Sequence, residues 1–183
     1  MVSTDSRTRA RSLALTVTEI EQHAAAAGWD APIGVFALVR TAEALAANPA
    51  LADDLPPDVV EAAHADPEHL TSIEQDGLPE AAALEDLLAQ LAWPETVHGA
   101  AIVVERIVVP PEAEAGMPAD PAAGVDYLMH HPDRQDVRIA VGVLRTGESW
   151  CALRSRANDS GDAVAGTSDA VPGLVEALAA TLR

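Results

Sequence analysis

The residues whose types and spacing could do chemistry fall into a few short strings. His130-His131-Pro132-Asp133-Arg134 puts two histidines, an aspartate and an arginine into five consecutive positions. Such a set could ligate a metal ion or move protons near neutral pH. Adjacent side chains diverge unless the backbone turns sharply, however, and no further Cys or His stands at ligand spacing. A helix-ending turn with solvent-facing histidines is the expectation, and no metal site is assigned.

Glu105-Arg106 sits at the centre of the apolar run A-I-V-V-E-R-I-V-V. An isolated charge is costly to bury, so these two must find partners or face a cleft. Structural ion pairing is the expectation, and an anion or proton site is the alternative. Further on, Arg138, Arg154 and Arg156 share one sense on a predicted hairpin, and Arg106 could join them. Like charges facing each other destabilise paired strands unless acids meet them. Loop carboxylates such as Asp133 and Asp136 are the expected partners. A concave face for a carboxylate, a phosphate or an acidic partner segment is the functional alternative. The candidate ligand-binding residues are thus Arg106, Arg138, Arg154, Arg156, His131 and Arg134, and no catalytic residue is assigned.

Other chemistry is poorly supplied. Cys151 is the single cysteine and falls on the core face of the hairpin, where a thiol is usually inert. Glu74, Asp76 and Glu80 crowd one turn and Asp159 and Asp162 another, neither at calcium-loop spacing. No G-x-S-x-G, phosphate loop, G-x-G-x-x-G or H-E-x-x-H string occurs, and no cofactor is expected.

These residues need elements to position them. Leu13, Val17, Ile20 and Ala24 recur at helical spacing and predict a helix over about 8–27, with Gly28 beyond its end and Trp29 closing the cap. Residues 33–40 are apolar on both parities and predict a buried strand. A short helix from Thr41 ends at Asn48-Pro49, Pro57 opens another, and Leu84, Leu87, Leu88 and Leu91 mark a third. Residues 100–109 predict a central strand. The Pro/Ala-rich stretch at about 110–124 reads as a mobile connection, and Asp120-Pro121 as the cap of a helix ended by His131-Pro132. Residues 137–144 and 148–156 read as a hairpin with Gly147 in the left-handed position. That register sets Val141 beside Cys151, Arg138 beside Arg154, and Trp150 over the gap left by Gly142. Residues 157–167 read as a loop, and Pro172 opens a closing helix carrying Leu174, Leu178 and Leu182. The sum is a single α+β domain over 1–183, with an antiparallel or mixed sheet of about four strands and helices packed on it.

Composition narrows the partners. The chain carries 11 basic and 29 acidic residues, a formal charge of −18, and every basic residue is an arginine. Without lysine there is no Schiff-base or phosphate-loop lysine. An anionic surface of this size disfavours nucleic acid and anionic lipid. A lone cysteine fits a reducing compartment, and no apolar run reaches the length of a membrane span. Residues 1–11 do not read as a signal peptide. A cytoplasmic, soluble protein is expected.

The strings L-T-S-I-E-Q-D from Leu70, L-A-W-P from Leu91, G-A-A-I-V-V-E-R-I-V-V-P from Gly99 and H-P-D-R-Q-D-V-R-I-A-V-G-V-L-R from His131, followed by C-A-L-R from Cys151, resemble a family of uncharacterised actinobacterial proteins. The resemblance runs from about Ala14 to Leu182 and implies a cytoplasmic bacterial origin. It brings no activity, cofactor or site residue with it. The leading functional reading is therefore a non-enzymatic soluble binding or adaptor protein with a protein partner. The alternative is a small-molecule-binding enzyme using the His130-to-Arg134 corner with Glu105 and Arg106. Convergence of those groups in a cleft would favour the second, and dispersal over an open sheet the first.

Overall fold

The longest helix, α1 (Thr4–Ala27), turns Leu13, Val17 and Ile20 fully inward. It begins about a turn earlier than the expected start at residue 8, and Gly28 ends it at φ 94°, a conformation that glycine adopts without strain. This computed structural model describes residues 4–183; of the arginine-bearing N-terminal run, Met1 to Ser3 lie outside the described residues.

Six strands follow: β1 (Gly34–Arg40), β2 (Leu70–Glu74), β3 (Gly99–Val108), β4 (Gln135–Leu144), β5 (Ser149–Ser155) and β6 (Ala165–Thr167). They form one sheet in the order β2-β1-β3-β4-β5-β6, and each described pairing is antiparallel. The expected sheet of about four strands is thus corrected to six. Both additional strands lie at the edges and are short. β2 buries only Leu70 fully, and β6 buries none of its three residues, so neither carries the apolar alternation that marks a strand in sequence. β3 and β4 take the two central places.

The remaining helices are α2 (Thr41–Ala47), α3 (Leu51–Asp54), α4 (Pro57–Ala65), α5 (Leu84–Ala89), α6 (Pro111–Ala115), α7 (Pro121–His130) and α8 (Pro172–Ala180). The connection at 110–124 contains α6, and the Tyr127 hydroxyl donates to the Ala113 carbonyl at 2.9 Å. Asp120 caps α7 by accepting from the Ala123 amide at 2.9 Å.

The sheet separates two apolar layers. On one face α5 and α8 cover Val35, Ile102, Val104, Ile139, Val141 and Cys151. On the other, α1 covers Phe36, Leu38, Ala101, Val103, Ala140 and Ala152. The hairpin register is the one expected: Val141 pairs with Cys151, Gly142 with Trp150 and Arg138 with Arg154, and Gly147 has φ 100°. Trp150 is displaced from its expected place. A side chain on Gly142 would strike Val17 and Leu13 of α1, whereas the Trp150 ring lies over Gly166 of β6. The helix, not the indole, occupies the space that Gly142 leaves.

Candidate functional site

Strand parity places Glu105, Arg138 and Arg154 on the face that α1 covers, one turn beyond the apolar part of its stripe. Arg138 and Arg154 are 1% and 4% exposed. Two guanidiniums side by side under a helix demand an acid, and α1 supplies Glu21, which is 0% exposed. Arg154 grips it with both arms, Nε to Oε1 at 2.6 Å and Nη2 to Oε2 at 2.8 Å. Arg138 Nη1 stands 3.6 Å from the same Oε1, an ion pair without a hydrogen bond. Its Nη2 donates to Glu105 Oε1 at 3.2 Å and to the Gly28 carbonyl that ends α1.

Trp29 completes the assembly. Its ring lies 4.3 Å from the Arg138 guanidinium and 5.5 Å from that of Arg156, and its indole N–H donates to Asp159 at 2.8 Å. Trp29 therefore covers the arginines rather than closing the helix cap. The hydrogen bond from Trp29, reinforced by Arg154, holds the Asp159 carboxyl below the usual aspartate range. The hydrogen bonds that Arg154 donates to the Glu21 carboxylate push the Arg154 guanidinium pKa further up. Asp30, at φ 65°, accepts both Nη groups of Arg156 at 3.1 Å and donates its amide to Glu105 Oε2 at 2.8 Å.

The expected partners of these arginines are therefore only partly the observed ones. Asp136 lies 3.6 Å from Arg156, but Asp133 is not among them, and Glu21, Glu105, Asp30 and Asp159 do most of the pairing. Arg106 does not join Arg138 and Arg154. The pleat sends it to the opposite face, beside Val104 and Ile139. Glu21 could have been found: it continues the spacing of four from Leu13 through Val17, which places a carboxylate on an apolar stripe.

At the end of the sheet a cleft of about 240 Å³ opens between β3, β4 and α7. Arg106, Arg134 and Arg156 line it with Asp30, Glu105, Asp136, Ile107 and Met129. Of the six expected ligand-binding residues, Arg134 and Arg156 meet there, while Arg106 borders the cleft from β3 with its side chain on the opposite face. Arg134 donates to the Met129 carbonyl at 2.6 Å and lies 3.9 Å from Asp136, while Arg106 is exposed and has no carboxylate partner among the described residues. The histidines stay out of the cleft lining. His130 is paired with Asp126 at 3.2 Å, and His131 accepts from the Asp133 amide and faces the Tyr127 ring at 5.4 Å. Among the described residues no cluster of His, Cys, Asp and Glu is arranged to hold a metal ion, and no helix is long and apolar enough to cross a membrane.

Fold and site together define an α+β protein with a buried arginine–carboxylate network beneath its long helix and an arginine-lined cleft at the sheet end. The chain belongs to the PPA1309-like protein family, whose model matches residues 13–183. No curated protein and no solved structure matches it.

Proposed function

We propose that this protein is a non-enzymatic binding module that holds an acidic segment of a partner protein in the cleft at the sheet end. The observation that carries the reading is the meeting of Arg134 and Arg156 in one cleft of a chain with formal charge −18. Arg156 is occupied by Asp30, and Arg134 Nη1 by the Met129 carbonyl, which leaves Arg134 Nη2, 3.9 Å from Asp136 and without a hydrogen bond, to meet an incoming carboxylate. Apolar side chains flank them. Met129 lines the cleft, and Val125, one helical turn back on α7, is 61% exposed. Arginine forks beside exposed Met and Val suit a peptide that alternates acids with aliphatic residues. An enzymatic use of the same groups has weaker support. The histidines lie off the cleft, and Glu105 is held by Arg138 and the Asp30 amide.

Fluorescence anisotropy tests the proposal with a labelled peptide of alternating Glu and Leu at low salt. Wild type should bind, with affinity falling as salt rises. Arg134→Ala should weaken binding at least about tenfold, equivalent to roughly 1.4 kcal/mol. Equal affinity in the variant, or no binding by wild type, would overturn the reading.

A further inference from the structure

A second cavity lies on the other side of Glu105, between the end of α1 and strands β1 and β3. Its volume is about 230 Å³, room for one ring or a short alkyl chain. The walls are Ala24, Ala27, Pro32, Phe36 and Val103, and they owe their spacing to small residues. Gly34 belongs to the same wall, and the Phe36 ring leans across the place where a side chain would stand. Glu105 and Arg138 form the polar inner end, and His23 and Glu74 stand at the exposed mouth, 4.0 Å apart.

The polar valences decide which head group fits. Arg138 Nη2 is already committed to Glu105 and the Gly28 carbonyl, and its unpartnered Nη1 is buried against Glu21. Glu105 accepts two hydrogen bonds, about half of what a carboxylate can take. The inner end therefore offers acceptors rather than donors. Charge points the same way. Behind the cavity the guanidiniums of Arg138 and Arg154 face three carboxylates, those of Glu21, Glu105 and Asp159, so the cluster is one positive charge short. Glu74 adds a further negative charge at the mouth, and the Phe36 ring presents a π-system to a cation.

We infer that this cavity is a binding site for a small organic ammonium ion with an apolar body. The ammonium group donates to Glu105, the ring or chain lies along Phe36 and the alanines, and Glu74 draws the cation to the mouth. This site shares Glu105 with the proposed peptide cleft but does not use its Arg134.

Calorimetric titration with benzylammonium, benzoate and benzyl alcohol tests the inference on wild type, Ala24→Leu, Glu105→Gln and Arg106→Ala. Benzylammonium should bind wild type at least tenfold more tightly than either of the other two. Ala24→Leu fills the cavity without touching the ion network and should lower that affinity at least tenfold. Glu105→Gln should lower it at least fivefold, and Arg106→Ala should leave it unchanged. Benzoate binding as tightly as benzylammonium, ammonium binding that survives Ala24→Leu, or no binding of benzylammonium to wild type would each overturn the inference.

Discussion

Glu21 is the residue on which the buried network turns. Removing two guanidiniums and a carboxylate from water costs several kcal/mol per ion, and the cost is offset only while each charge keeps a close partner. Neutralising Glu21 leaves Arg154 with Asp159 alone and Arg138 with Glu105 alone under α1. Glu21→Gln should therefore lower stability by about 3–5 kcal/mol in urea denaturation. Replacing Glu21 and Arg154 together with methionine should cost less than the single change, because Arg154 is then not stranded and Arg138 keeps Glu105 at 3.2 Å. A Glu21→Gln loss below about 1 kcal/mol would mean that the pair is solvated. Asp159 gives the network a pH signature. Its pKa is depressed in the folded state by Trp29 and Arg154. Its stabilising effect should be complete above the ordinary aspartate pKa of about 3.9 and be lost as pH falls through the lower folded value. The melting-temperature gap between wild type and Asp159→Asn should hold from pH 7 to about pH 5 and close below about pH 4. A gap that widens toward acid would contradict the assignment. The arginine positions were legible in sequence because strand alternation fixes parity. Their acids were legible only in part: the place of Glu21 on the apolar stripe signals its burial but not its partners, more than a hundred residues away, and Asp30 and Asp159 lie on turns without periodicity.

Packing between α1 and the sheet depends on one bare position. Val17 occupies the space over Gly142 so closely that an added methyl group would overlap it. Gly142→Ala must push the helix off β4 and should cost about 1–3 kcal/mol by overpacking. Unfolding by urea measures it, and an unchanged midpoint would show that the helix can shift freely. On the opposite face Cys151 is 0% exposed, and burial pushes its thiol pKa up. Native protein should react with an aromatic disulfide reagent at least about a hundredfold more slowly than unfolded protein, because the thiolate is scarce and shielded. Rapid native labelling would place Cys151 at the surface. The core elements were readable because β3, β4 and β5 carry long apolar runs and Gly147 marks the hairpin. The edge strands β2 and β6 were not, since pairing with a neighbour, rather than burial, makes them strands.

At the scale of the whole molecule, charge and shape are divided. Most of the surface is anionic, yet two arginines, Arg134 and Arg156, gather where the sheet ends against α7. Sequence parity could not foresee this cleft. Arg156 lies just past the end of β5, and only the turn after α7 brings Arg134 to meet it. An anionic chain should repel an acidic peptide everywhere except at such a place, and that makes the location of binding more informative than its strength. Titration of isotope-labelled protein with the Glu/Leu peptide, followed by amide chemical shifts, tests the claim most directly. The account predicts a compact set of shifts at residues 105–107, 125–136 and 154–157 that vanishes in Arg134→Ala. Shifts scattered over the surface, or centred on the α5 and α8 face and unaffected by that substitution, would contradict it.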